Sequence, residues 1–134
     1  MSTTNPDPVY LARYKENADQ ARHHEVLRER STTMVAQTTG VLLGLLGFKE
    51  GNFLTSPIVS LVGIFIILLG GWGIFSAVMA ESRARRHRER IDGFLTKLDT
   101  SFTPDAKTKQ TVWVWVLFHV GIIGLGIAIL VLKH

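Results

Sequence analysis

The stretch PIVSLVGIFIILLGGWGIFSAVMA, residues 57–80, contains no ionisable side chain and decides the fold class of this chain. At about 1.5 Å of rise per residue, a helix of this length crosses a hydrocarbon core of roughly 30 Å. A helix also satisfies its own backbone hydrogen bonds, as the lipid interior requires. The basic run ESRARRHRER follows directly. An apolar span next to an arginine cluster is typical of a membrane protein with a fixed orientation.

The composition supports a single compact membrane unit. The chain has 134 residues, of which 46% are hydrophobic and 19% charged, below the roughly 25% charged residues of soluble proteins. The net charge is +4, but the basic residues flank apolar stretches, so we interpret them as topology signals and expect no nucleic-acid partner. The chain has no cysteine, which excludes disulfides and thiolate metal sites. The long polar region before Met34 predicts no cleaved signal peptide.

Two further apolar stretches accompany residues 57–80. Residues 33–48 form a less apolar stretch, because threonines and Gln37 occupy its first half. Since only the short segment 49–56 separates it from the next span, the two spans are predicted to form an antiparallel hairpin. Residues 111–132 form the third, with Trp113 and Trp115 placed as an interfacial aromatic belt at its start. The sequence therefore predicts an all-α membrane protein with three transmembrane helices and two cytosolic helical extensions.

The predicted extensions are residues 8–32 and 81–110, and residues 1–7 are predicted to be a disordered tail. Each extension has an apolar stripe at helical spacing. These stripes consist of Leu11, Tyr14, Ala18 and Ala21 in the first, and Ile91, Phe94, Leu95 and Leu98 in the second. We expect the two stripes to pack on each other, with the membrane surface as the alternative partner.

The positions of the basic residues predict the orientation. Five arginines directly follow the span 57–80 and are predicted to contact lipid headgroups and to fix the topology: Arg83, Arg85, Arg86, Arg88 and Arg90. Few basic residues lie at the opposite ends of the spans. The pattern predicts a bacterial inner-membrane protein with a cytoplasmic N-terminus and an external C-terminus.

Several residues within the spans are candidates for helix contacts or for a polar path. His119 is an ionisable side chain deep in the third span, and such residues often have a function. It is either a neutral histidine bonded to a neighbour such as Gln37, or a proton-sensitive or pore-lining residue. On the first span, Gln37, Gly40 and Gly44 belong to a stripe of polar and small residues. Either this stripe faces other helices or a water path, or the threonines of the first half simply lie at the level of the lipid headgroups. Gly40 and Gly44 form a GxxxG pair, and Gly73 pairs with Ala77 in the same spacing.

The sequence contains no pattern that predicts catalysis. His23, His24 and Glu25 are adjacent, so on a helix they point in different directions and do not bind one ion together. No nucleophile elbow, zinc-protease or phosphate-loop motif is present. We therefore expect no enzymatic activity, no catalytic residues, no cofactor and no metal site.

Residues 10–98 resemble the SLATT-like effectors of bacterial anti-phage islands, which combine cytosolic helices with a membrane hairpin. The residues that carry the resemblance are ARHHEVLRERSTTMVAQTTGVLLGLLGF, which leads into the first span, and FSAVMAESRARRHRERIDGF, which leaves the second. The third span is additional to that layout. The resemblance implies an oligomeric inner-membrane effector that disrupts membrane integrity when a cytosolic partner signals.

The sequence predicts an oligomeric effector that forms a pore, such as an ion channel, or disrupts the membrane. We expect it to act in antiviral defence and to be controlled through its cytosolic helices. Its expected partners are the lipid bilayer, further copies of the chain and a cytosolic protein bound at residues 8–32 and 81–98. Two alternatives remain open at this stage. One is a non-catalytic anchor or adaptor subunit of a larger complex, and the other is a holin-like protein. A transporter is disfavoured, because three spans supply few polar groups within the membrane.

Overall fold

The computed structural model describes residues 8–47, 56–98 and 111–132, and all of them are helical. The helices are α1 (Pro8–Gly47), α2 (Ser56–Leu98) and α3 (Thr111–Leu132). The all-helical prediction is thus confirmed for the described residues. The predicted tail, residues 1–7, the hairpin turn after residue 48 and the loop before residue 111 lie outside them.

Two of the helices are unusually long. α1 has 40 residues and α2 has 43, which corresponds to about 60 and 65 Å at 1.5 Å per residue. The predicted border between residues 32 and 33 falls inside α1, since residues 9–39 contain neither glycine nor proline to break the helix. The border after residue 80 likewise falls inside α2. Each of these two apolar stretches therefore continues into its extension as one uninterrupted helix.

α2 is the central helix and packs against both α1 and α3. It runs antiparallel to α1, because Tyr10 lies against Phe94 whereas Ser31, further along α1, contacts Ser76, nearer the start of α2. It also runs antiparallel to α3. There, the backbone of Gly63 faces Leu130, and a later residue of α2, Gly73, faces an earlier residue of α3, His119. The described helices therefore form an up-down-up arrangement.

A cluster of buried apolar residues contains one side chain from each helix, namely Val35, Ile66 and Ile122. Outside this cluster, α3 and the part of α2 from Ile58 to Met79 expose large apolar side chains. Leu61, Leu68 and Leu117 are examples. An exposed apolar surface that continues around a helix suits contact with lipid.

Of the described helices, two are long and apolar enough to cross a membrane, over Pro57–Lys97 and Val112–Leu132. The first range contains the predicted second span, residues 57–80, and the second matches the predicted third span, residues 111–132, to within one residue. α1 does not reach the same hydropathy, because threonines and Gln37 dilute the apolar residues of its second half. The length and composition of these two helices support a membrane protein with two spans. A third crossing, by residues 33–48, stays a prediction.

The two extensions pack on each other, as expected, but through residues that belong only in part to the predicted stripes. The rings of Tyr10 and Phe94 meet edge to face with 6.1 Å between their centroids. Ala21 on α1 and Ala84 on α2 are both buried. Leu11, predicted as part of the stripe, is exposed instead, and the aromatic contact is made by its neighbour Tyr10.

Candidate functional site

His119 is fully buried between α2 and α3, with 0% of its surface exposed. Its Nδ1 lies 2.7 Å from the carbonyl oxygen of Trp115, one turn earlier in α3. Since a carbonyl only accepts hydrogen bonds, Nδ1 carries the proton and donates it. The other ring nitrogen, Nε2, is buried and has no hydrogen-bond partner among the described residues. The bonding partner is therefore the Trp115 carbonyl and not Gln37, which is exposed on α1.

Gly73 provides the space that the imidazole ring of His119 occupies. A Cβ atom at position 73 would overlap the ring atoms Cδ2 and Nε2 of His119. No larger residue fits there unless the ring moves. The structure thus brings together two residues that the sequence singled out separately, and it explains why α2 has glycine at this position.

Gly73 belongs to a row of close approaches between α2 and α3, which we call the glycine interface. A Cβ at Gly70 would lie 2.6 Å from Ile123, and one at Gly126 would lie 2.8 Å from the carbonyl oxygen of Gly63. Small residues allow helix backbones to approach this closely in membranes, where packing rather than hydrophobic burial drives association. The glycine interface positions His119 against the backbone of α2.

Four charged residues form a second interface, between α1 and α2, which we call the charged interface. Arg28 is buried, with 7% of its surface exposed, and its Nη1 lies 2.7 Å from Glu81 Oε2. Arg88 bridges both helices, with Nη2 at 2.6 Å from Glu25 and Nη1 at 3.3 Å from Glu81. The Arg28 guanidinium also lies 5.6 Å from the ring centre of Trp115 on α3, within range of a cation–π contact.

The charged interface was not predicted, although the sequence contains a signal for it. Glu25 and Arg28 continue the three-four spacing of Ala18 and Ala21, and therefore lie on the same face of α1. Charges that continue a buried face need partners on the facing helix. The partners are therefore expected among the acidic and basic residues of α2. Arg88 is one of these partners, although it was predicted to contact lipid headgroups.

A pair of serines connects the charged interface to the glycine interface. The hydroxyl oxygens of Ser31 and Ser76 are 2.7 Å apart, and Ser76 also donates to the carbonyl oxygen of Gly73 at 3.0 Å. Because a hydroxyl has one hydrogen, Ser31 must be the donor to Ser76. Polar groups therefore continue from Glu25 inward to the backbone at Gly73, next to His119.

The predicted polar stripe of α1 lies on the outside of this arrangement. Gln37, Gly40 and Gly44 are exposed, and no heavy atom lies within 4 Å of a Cβ built at either glycine. The buried face of α1 is formed instead by Val35 and Thr39 with their neighbours. The GxxxG pair thus makes no close contact with the other described helices.

The five arginines predicted to contact headgroups divide into three groups. Arg88 belongs to the charged interface, and Arg85 pairs with Glu89 on the surface of α2 at 2.8 Å. The remaining three have no ion-pair partner among the described residues and line one open cleft together with two histidines. They are Arg83, Arg86 and Arg90.

Two histidines face each other across the extensions. The rings of His24 and His87 stack with centroids 5.6 Å apart, and His87 Nδ1 lies 3.0 Å from the Oδ1 of Asn17. Burial lowers the pKa of His24 below its ordinary value, and the neighbouring His87, Arg83 and His23 lower it further. In the described part of the chain, no group of three or more His, Cys, Asp or Glu residues has the geometry to hold a metal ion.

The two tryptophans of the predicted belt have different environments. Trp113 is exposed, with 68% of its surface accessible, as expected for a side chain at a membrane interface. Trp115 is half-buried beneath Arg28, and its indole Nε1 has no hydrogen-bond partner in the described helices. Trp115 therefore contributes to the packing of the bundle.

The chain matches no family model, no curated protein and no solved structure. The SLATT-like resemblance therefore stays a prediction.

Proposed function

We propose that this chain is an inner-membrane protein that assembles with copies of itself into a pore or membrane-disrupting oligomer. In this proposal α1 crosses the membrane as a third span, the N-terminus is cytoplasmic and the C-terminus is external. The observation that carries the proposal is the exposed polar and small face of α1, which includes Gln37, Gly40 and Gly44.

This face has the properties of a surface that other copies cover. Thr33, Gln37, Gly40 and Gly44 follow a four-three-four spacing and share one side of α1. The polar side chains of Thr33 and Gln37 are unfavourable against lipid. Gly40 and Gly44 leave open space, so another helix can approach them closely.

Exposed apolar residues occupy the adjacent side of the same helix. Met34, Val41 and Leu45 are all exposed, and these suit contact with lipid or with a neighbouring copy. A helix that has a polar side, an apolar side and a side packed against its own bundle is suited to line a path between several copies.

The continuity of the helices supports control from the cytosolic side. α1 and α2 extend without interruption from the apolar region into the paired extensions. A protein bound to the extensions would therefore act on rigid elements that reach Gln37 and Gly73. The anti-phage role predicted from the resemblance is part of this proposal.

The test compares two variants with matched controls in reconstituted vesicles. Gln37→Leu should lower ion conductance while the crosslinked oligomer is unchanged, and Met34→Leu, on the apolar side, should leave both unchanged. Gly44→Leu should abolish the oligomer, because the added side chain fills the space that a second helix needs. Gly71→Leu is its control, since Gly71 is also an exposed helical glycine with nothing within 4 Å.

A monomer that leaves the membrane potential unchanged would contradict the proposal and favour the anchor or adaptor. Lethality on expression alone, with release of a co-expressed muralytic enzyme, would favour the holin-like alternative. Normal conductance in Gln37→Leu would exclude α1 as the lining of the path.

A further inference from the structure

One face of α2 changes from aromatic and apolar to basic where the uncharged stretch ends. Trp72, Phe75 and Met79 lie on this face at the membrane side, with 59% of Trp72 and 56% of Phe75 exposed. Arg83 follows at the next turn, and Arg86 and Arg90 continue the face at helical spacing. From Phe75 to Arg83 the rise is about 12 Å, at 1.5 Å per residue.

α1 supplies the second wall of a groove along this face. The apolar part of the groove is a cavity of about 390 Å³. Besides α2, it is lined by His24, Leu27 and Ser31, which have the same three-four spacing on α1. The basic part is a cleft of about 260 Å³ that includes His24 and His87. The two cavities share His24 and Arg83, so they are adjoining parts of one groove.

The basic part of the groove has an excess of positive charge. Its arginines make no ion pair with any described residue, whereas Arg85 and Arg88, which lie outside the cleft, are paired with glutamates. Among the described residues, no acidic side chain lines the cleft. The lowered pKa of His24, caused by burial and by the adjacent His87, Arg83 and His23, agrees with a local environment that disfavours further positive charge. Such a cleft attracts an anion.

We propose that this groove binds one anionic phospholipid in the leaflet on the Arg83 side of the membrane. The phosphate group lies among Arg83, Arg86 and Arg90, and an acyl chain lies along Leu27, Phe75 and Met79. An amphipathic ligand matches this groove, because its apolar and basic parts adjoin at the end of the uncharged span.

The chemistry of each part supports this ligand. Guanidinium groups bind phosphate oxygens through paired, charge-assisted hydrogen bonds. Basic pockets at the ends of membrane helices bind anionic headgroups. A soluble phosphate compound would use the basic part alone and would leave the aromatic and apolar part exposed. The groove lies within one chain, so the proposal is independent of oligomer formation.

The test uses the full chain in nanodiscs of zwitterionic phosphatidylcholine that contain a small fraction of phosphatidylglycerol with brominated acyl chains. Bromine quenches nearby tryptophan fluorescence, and the difference between the wild type and Trp72→Phe isolates the signal of Trp72. Native mass spectrometry of the delipidated protein, after addition of each lipid, gives the number of bound molecules. Circular dichroism confirms that each variant keeps its helices.

We expect one tightly bound phosphatidylglycerol per chain and selective quenching of Trp72. Arg86→Gln should weaken this binding about fivefold, as expected for the loss of one basic contact with an anionic lipid. Arg83→Gln combined with Arg86→Gln should weaken it further. Arg85→Gln removes the same charge from the same helix outside the groove, and it should change the affinity less than twofold.

Equal losses in Arg85→Gln and Arg86→Gln would overturn the proposal in favour of general attraction between a basic surface and an anionic bilayer. Full competition by millimolar glycerol phosphate, without quenching of Trp72 by the brominated lipid, would overturn it in favour of a soluble phosphate ligand. Equal binding of phosphatidylcholine would show that the arginines do not select the headgroup, which also contradicts the proposal.

Discussion

The two interfaces of α2 hold the bundle together by different physical means. At the glycine interface with α3, the helices approach so closely that a Cβ added at Gly70 would overlap Ile123. At the charged interface with α1, the contacts are directional and polar, as between Arg28 and Glu81. α2 presents both surfaces on the same long helix.

The difference follows from what each partner helix offers. Apart from Thr111 and His119, α3 is apolar, and an apolar helix in lipid gains little from hydrophobic burial, so its attachment depends on close approach. α1 has charged and hydroxyl side chains on its buried face, such as Arg28 and Ser31, and these require partners on α2. Close packing holds α3, and polar pairing selects the position of α1.

The largest expected effect is at the charged interface. Glu81 accepts hydrogen bonds from Arg28 and Arg88, so Glu81→Gln leaves the buried Arg28 without its counter-charge. We expect the free energy of unfolding in detergent micelles to fall by about 3 kcal/mol, the loss typical of a broken buried ion pair. Denaturant titration followed by circular dichroism measures it.

Glu89→Gln is the matched control, because both side chains of the Glu89–Arg85 ion pair are exposed to solvent. It should change the free energy of unfolding by less than about 0.5 kcal/mol. If Glu81→Gln costs no more than this control, the charged interface does not stabilise the bundle. Replacing Arg28 and Glu81 together by leucine should recover much of the loss, since no unpaired charge remains.

A smaller effect is expected at the glycine interface. Gly73→Ala places a methyl group where the His119 ring lies, and the resulting shift should cost about 1–3 kcal/mol in the free energy of unfolding. Gly71→Ala is the control, because a Cβ there has nothing within 4 Å. The same titration in a His119→Ala background sharpens the test. In that background Gly73→Ala should be nearly neutral, and a full cost would show that the ring is not the obstacle.

The smallest expected effect is a pH dependence between the extensions. The pKa of His24 in the folded chain lies below its ordinary value of 6.5, so the unfolded chain binds a proton more readily. The free energy of unfolding should therefore fall as the pH decreases through 6.5 and should not depend on this group above it. His24→Gln should reduce the slope. An unchanged slope in His24→Gln would contradict the assignment of the pH dependence to His24.

Much of the fold was predictable because its signals are local. The uncharged stretch 57–80, the continuous helix through residues 9–39 and the apolar stripe at Phe94 all depend on neighbouring residues in the sequence. The candidate site was predictable only in part. His119 and Gly73 were both identified, but their contact joins residues on two helices, and no spacing within either helix gives the register between them.

The amino-acid sequence by itself determined the helical class, the two apolar spans and the presence of a basic segment, since hydropathy, charge and helix propensity act over a few turns. The tertiary structure alone decided which of five neighbouring arginines pair with glutamates and which remain in an open cleft. It also decided that Gly73 receives the ring of His119 while Gly40 and Gly44 stay uncovered. These outcomes depend on the rotation and register of one helix against another, which are fixed by packing and polar pairing across the interface.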